Sequence, residues 1–252
     1  MTSHNISAVI ITLNEEATIA RCLASVAKIC DEIIVLDSHS TDDTVRICND
    51  FDSVTCITTD WLGYSKTKNK GAQLAKHTFI LSIDADEKLD EQAIEVVRNA
   101  TSKGLEGAYS FNRKNFFGKK WIKYAGWYPD VKTRLYDKTT CEWSGDFVHE
   151  TLRTKDDTVT QHLSGNIEHF TVSNKKQHIE TVHKYARLAA ERDLFNGKSN
   201  NSVKAALSAC AHFIKIYLIK MGFLHGGVGL NIAFNSAMSK WLRYTYWQKL
   251  KA

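Results

Sequence analysis

Four short apolar runs, each followed by a helix-period segment, occupy the first hundred residues, and no other feature restricts the fold as much. Ile6–Thr12 is almost uniformly apolar, as expected of a strand buried on both faces. Asn14-Glu15-Glu16 then opens a helical pattern. Asn14 is placed to cap the first N–H groups, and the glutamates suit the positive helix end. Ile19, Cys22, Leu23 and Val26 mark the apolar face of that helix. A second β-rich run covers 32–36. The polar turn Asp37-Ser38-His39-Ser40-Thr41 follows, with Ser40 or Thr41 as the cap of a helix reaching about Cys48. Val54–Thr58 predicts a third, weaker strand, 65–76 a helix, 79–83 a fourth strand ending at Asp84, and 91–100 another helix. Strands alternating with helices at this spacing mean βαβ units on a parallel sheet. Ligands on such sheets bind beyond the carboxyl ends of the strands. Three polar clusters fall there: Thr12–Leu13–Asn14–Glu15, Asp37–Thr41 and Asp84–Ala85–Asp86.

The first of these loops, TLNEE, contains no glycine. A dinucleotide site would need G-x-G-x-x-G there and a P-loop G-x-x-x-x-G-K-[ST], and neither occurs. Asp84 and Asp86 lie two apart at the end of an apolar strand, so in extended geometry both point to one face. Two carboxylates that close repel, unless a cation lies between them or one is protonated. Hard divalent cations take oxygen ligands and commonly bridge phosphates. An isolated D-x-D is more often a solvated turn; on a parallel sheet the balance moves to a cation site.

Of 252 residues, 43% are hydrophobic, 24% are charged and one is proline, which excludes wholesale disorder and a Pro-rich linker. No run of 18 uniformly apolar residues occurs, so a plain transmembrane helix is not expected. The N-terminus lacks a basic region and a cleavage site, so it does not read as a signal peptide. Six cysteines, without C-x-x-C or zinc spacing, read as reduced thiols of a cytosolic protein.

The segments VIITLNEE, IIVLDSHSTDDT, KTKNKGAQLAK and FILSIDADE resemble, in that order, the nucleotide-sugar half of glycosyltransferase family 2. GWYPDVKTRLYDK, GDFVHE and MGFLHGGVGLNIAFNSAMSKWLRY resemble its bacterial branch for lipopolysaccharide core, the inner-core glucosyltransferases above all. The resemblance implies an α/β fold of the GT-A type and inverting transfer from a nucleotide diphosphate sugar, UDP-linked in the first instance. It implies a catalytic domain over 1–172, with the nucleotide-sugar half in 1–100 and the acceptor half in 101–172. By position, Thr12, Leu13, Asn14 and Glu15 would line the nucleotide pocket, Asp37 and Ser38 would meet the base or ribose, and Asn69 would order the donor. Asp84 and Ala85 would meet ribose. Asp86, Asp84 and His169 would hold a divalent cation, Mg²⁺ or Mn²⁺; for His169 a structural role competes equally. Lys66 and Lys70 are phosphate candidates, with solvated lysines the competing reading. The base that removes the acceptor proton would be Glu150, with Asp146 next. Here HE stands where the branch more often has Glu-Asp, which leaves the role of His149 open. Trp127, Tyr128 and Asp130 are acceptor-side candidates, although the two aromatics equally suit a core.

Residues 173–252 read as a basic, amphipathic helical extension. From Leu194 to the end there is no Asp or Glu and there are eight Lys and Arg, while residues 1–193 carry a net charge of −3. Lys175–Phe195 is one amphipathic helix. Segments 203–221 and 230–250 form a hairpin broken by Gly226, Gly227 and Gly229. Aromatics mixed with cations suit an anionic membrane interface, which predicts a peripheral protein on the inner face of the cytoplasmic membrane. Packing on the catalytic domain and an oligomer through these helices are competing readings. Nothing else resembles a nucleic-acid module, so nucleic acid ranks last. The expected function is transfer of a hexose to a lipopolysaccharide-core or other lipid-linked glycan. A catalytically silent membrane scaffold is the alternative, and a sugar nucleotidyltransferase is disfavoured by its missing glycine- and arginine-rich first loop.

Overall fold

The computed structural model describes residues 5–145, 150–155, 158–172 and 174–251. The chain forms two compact units, one of residues 1–113 and 130–169, the other of 114–129 and 170–252. The second unit thus includes residues 114–129, a segment that the sequence assigns to the catalytic half.

The strands are β1 (Ile6–Thr12), β2 (Glu32–Asp37), β3 (Val54–Thr58), β4 (Phe79–Asp84), β5 (Glu87–Leu89) and β6 (Ala108–Phe117), the last running from the first unit into the second. After β7 (Lys120–Trp121) come β8 (Val131–Asp137), β9 (Cys141–Ser144), β10 (Thr151–Thr154) and β11 (Thr160–Val172). The helices are α1 (Ile19–Val26), α2 (Thr44–Asn49), α3 (Tyr64–Leu74) and α4 (Glu91–Lys103). The main sheet runs β3-β2-β1-β4-β8-β6-β11-β5. β1 pairs in parallel with β2 and β4, and β2 in parallel with β3, whereas β8 is antiparallel to both β4 and β6. β9 and β10 form a separate hairpin.

Every residue of β1 is buried. Alternation sorts its side chains: Ile6, Ala8 and Ile10 enter a core with Ile19, Leu23 and Val26 of α1 and Ile94 and Val97 of α4. Val9 and Ile11 enter the opposite core, with Ala72 and Ala75 at α3 and with Tyr136 and Trp143. A Cβ on Gly71 would lie 2.3 Å from Val9 Cγ1, so α3 approaches β1 as closely as it does only because residue 71 has no side chain.

Asn14 does not cap α1, which begins only at Ile19. Its backbone is left-handed at φ 56°, and its side-chain oxygen accepts the Thr41 N–H at 2.8 Å. Asn tolerates that conformation better than other side chains, and here it ties two loops together. Of the strands outside the parallel block, β5, β7, β9, β10 and β11 are not among the elements read from the sequence.

In the second unit α5 (Lys175–Phe195), α6 (Ser202–Ile214) and α7 (Gly227–Lys251) form a bundle, α7 packing on both of the others. Asp193 of α5 accepts both guanidinium arms of Arg243 of α7. His178 meets Asn231 and Asn235 at 3.2 Å each. α7 starts directly at Gly227 and runs through Gly229, where a Cβ would overlap the carbonyl of Gly222. Gly229 therefore permits a close contact, whereas a Cβ on Gly226 or Gly227 would meet nothing within 4 Å; of the three, only Gly226 lies outside the helix. α6 passes into a π-helical turn, Lys215–Ile219, and Gly222–His225 is a 3₁₀ turn. By length and mean hydropathy, 1.3 over Ser202–Ile219, this stretch could cross a membrane, which the sequence reading had not expected.

Candidate active site

Parallel register brings the polar clusters into one line. Thr12, the last residue of β1, stands opposite Asp37 of β2, and Ile11 stands opposite Asp84 of β4. The Asn14 N–H donates to Ser40 Oγ at 2.8 Å, and the Glu15 N–H to Thr44 Oγ1 at 2.8 Å. Both Asp37 oxygens are taken by Ser40, through its N–H at 3.0 Å and its hydroxyl at 2.5 Å. Thr12 Oγ1 and Ser38 Oγ are buried without a hydrogen-bond partner among the described residues. Two orphaned hydroxyls at adjacent strand ends suit a polar ligand. Leu13 is exposed, and Ala85 is buried. Burial raises the Glu15 carboxyl above its ordinary value; Thr18 opposes this with a 2.6 Å hydrogen bond, and Asp86 adds to it.

The centre of the site is a charge cluster that includes a buried lysine. Lys68 of α3 is 1% exposed; its Nζ lies 3.0 Å from Asp84 Oδ1, 3.2 Å from Glu150 Oε1 and 4.6 Å from the centre of the Trp143 ring. Arg134 of β8 reaches Asp84 Oδ2 and Glu87 Oε1, both at 2.6 Å. Arg113 joins the same Glu87 oxygen at 3.0 Å and pairs with Asp130 at 2.8 Å. Burial alone would raise the Asp84 carboxyl, but Arg134, and after it Lys68, hold it well below the usual carboxylate range. Burial would lower the Arg134 guanidinium, yet Asp84 and Glu87 push it up.

Asp86 Oδ2 lies 3.1 Å from His169 Nε2, because β11 pairs with β5 and sets His169 opposite Glu87. A carboxylate beside an imidazole suits a divalent cation that takes its remaining oxygens from a diphosphate. Among the described residues no group of three metal-ligating side chains forms. Both oxygens of Asp84 already face the cationic side chains of Lys68 and Arg134, which leaves Asp86 and His169 as the pair that could hold a divalent cation. Arg21 of α1 interacts with Asp86 and Glu15, a positive charge among these carboxylates.

Thr12, Asp37, Asp84, Asp86, His169 and Glu150 thus all belong to the first unit. Asn69 is turned to β9, its amide accepting the Trp143 N–H at 3.0 Å and donating to the Trp143 carbonyl at 2.8 Å. Lys66 is exposed, and Lys70 bonds Thr59. Asp130 pairs with Arg113 and Lys132. Trp127 and Tyr128 lie in the second unit, edge-on to His178 and Trp121. Asp146 and His149 are outside the described residues. Sequence reasoning missed Lys68, Arg134, Glu87 and Arg21. For Lys68 a signal exists: it shares a helical face with Ser65, Gly71 and Ala72, the small residues expected to face the sheet.

The polar strand ends, the acidic side chains and their counter-charges thus gather within the first unit. The profile described as Glycosyl transferase family 2 matches residues 7–174, and the chain belongs to that family. Its fold is of the GT-A type. An uncharacterised glycosyltransferase of Rickettsia prowazekii (strain Madrid E) is 30% identical over 255 residues, covering 94% of this chain and 85% of that one. The lipopolysaccharide core biosynthesis glycosyltransferase LpsC of Rhizobium meliloti (strain 1021) is 26% identical over 258 residues, covering 95% and 93%. Among solved structures, S. aureus TarS 1–349 in complex with UDP-GlcNAc is 14% identical with a TM-score of 0.49, covering 98% of this chain and 91% of that one.

Proposed function

We propose that this glycosyltransferase moves a hexose, with inversion, from a UDP-sugar to a lipopolysaccharide-core or other lipid-linked glycan. The observation that carries the reading is the convergence of Asp84, Asp86 and Glu150 at one end of the sheet, with Lys68 between two of them. The similarity to LpsC supports the acceptor class. Six free cysteines suit a reducing compartment, the cytosolic side of the membrane.

Glu150 takes the proton of the acceptor hydroxyl as that oxygen attacks the anomeric carbon. The bond from that carbon to the diphosphate breaks on the opposite face, and UDP leaves with the electron pair. One displacement inverts the configuration. Asp86 and His169 would hold Mg²⁺ or Mn²⁺, which neutralises charge on the leaving diphosphate when bound. Asp84, fixed by Arg134 and Lys68, shapes the ribose side. Thr12 and Ser38 offer the hydroxyls left without partners.

The test is UDP release from a panel of UDP-sugars, with and without a core glycolipid and with and without a chelator. Acceptor-dependent, chelator-sensitive release supports the reading. No release with any donor would make the chain a silent scaffold, and full activity after chelation would remove the metal.

A further inference from the structure

We propose that the C-terminal helices dock in the plane of an anionic lipid bilayer surface, through an apolar stripe on α6 together with the exposed apolar side chains of the turn before α7. On α6 and the π turn, Val203, Leu207, Cys210, Ile214 and Leu218 recur every three or four residues, and all are exposed. Val203 and Leu207 are each 67% open, Ile214 50% and Leu218 55%. Residues at that spacing form one line along a helix. Buried Ala205 lies on the opposite side of α6.

The turn that follows exposes further apolar side chains, Ile219, Phe223 and Leu224, around buried Gly222 and His225. His225 anchors it from inside, its Nε2 accepting the backbone N–H groups of Lys123 and Tyr124 at 3.0 and 3.1 Å. The apolar side chains are therefore held outward by a fixed backbone. An exposed apolar stripe of this kind calls for a covering partner.

Charge decides which partner. From Leu194 onward the chain has no acidic residue, and Lys204, Lys215 and Lys220 are exposed beside the stripe. At about 100° per residue, Lys204 and Lys215 stand roughly a quarter turn from its centre line. Immersing the stripe leaves both at headgroup level, where anionic lipids attract them. Two-fold pairing of the stripe with a second copy would set these lysines against one another without a counter-charge. Spanning the bilayer would bury Lys204, Ser208, His212 and Lys215 in hydrocarbon. The inference goes beyond the transfer reaction and does not depend on it.

The test is co-sedimentation of the full chain with phosphatidylglycerol-containing vesicles and with phosphatidylcholine vesicles, across a salt series. Expected is binding to the anionic vesicles at low salt that falls about tenfold or more at high salt. Leu207→Ser with Leu218→Ser should weaken it about tenfold, with unchanged circular dichroism; both side chains are exposed, so the fold does not need them. Lys204→Gln with Lys215→Gln should flatten the salt response. Protein that stays in the supernatant at low salt overturns the proposal. So does equal binding to neutral vesicles, resistance to alkaline carbonate extraction (a spanning helix), or a soluble dimer broken by the leucine variants. UDP release measured on the same samples tells failure of this proposal from failure of the transfer reading.

Discussion

A lysine ammonium cannot stand alone in a protein interior, and Lys68 is surrounded by Asp84, Glu150 and the face of Trp143. Removing one partner of such a buried set leaves the others uncompensated, at a cost of about 3 kcal/mol. Lys68→Met should lower stability by about that amount in urea unfolding, and should lower turnover even where the chain remains folded, because Glu150 loses its contact. Glu150→Gln keeps shape and hydrogen bonding but removes the proposed base. Donor affinity should stay near wild type while turnover falls about 10²-fold. Near-normal turnover would move the role to Asp146 or Asp130. At this scale the sequence exposed the acidic members, since Asp84-Ala85-Asp86 ends an apolar strand. It did not expose their counter-charges, which lie 16 residues before Asp84 in α3 and 50 after it in β8.

One helix, α3, links the core to the site. Its Gly71 sits against Val9, while Lys68 and Asn69, less than a turn earlier, reach Asp84 and the β9 backbone. A side chain at 71 would have to push Val9 or lift the helix, and overpacking of that kind costs about 1–3 kcal/mol. Gly71→Ala should therefore lower stability by that amount and disturb donor turnover, whereas Val9→Ala with Gly71→Ala should recover part of both. An unchanged urea midpoint for Gly71→Ala would show that the contact relaxes freely. The helices and parallel strands were legible because each repeats its period over several residues. β5, β7, β9 and β10 are two to four residues long, too short to show any period. Asn14 was misjudged for a related reason: an Asn before Glu-Glu matches a cap, but its partner, Thr41, comes from another loop.

Across the whole molecule, charge is unevenly divided, and acid should expose how the first unit uses it. The folded Asp84 carboxyl lies below its ordinary value, so its ion pairs stabilise the fold above the unfolded value of about 3.9. That contribution is lost as the pH falls from about 5 through 4 and below. Glu15 works in the opposite direction: its raised value means that the folded state gains a proton more readily as acid is added. With more ion pairs on the Asp84 side, the urea midpoint should fall steadily from pH 6 to pH 3. Asp84→Asn should start less stable and show a flatter decline; a parallel decline would place the acid sensitivity elsewhere.

Residue order alone determined the βαβ block, its parallel sheet and the line of polar strand ends, because periods of two and 3.6 and the turn residues between them are local properties. It also fixed the acid-free C-terminal tail. Tertiary structure decided which charges meet. Lys68 finds Glu150 across 82 positions, Arg134 finds both Asp84 and Glu87, and His169 reaches Asp86 through the antiparallel register of β11 on β5. No local pattern encodes these pairings, since each depends on how far one strand slides past another and on how closely one glycine lets a helix approach the sheet.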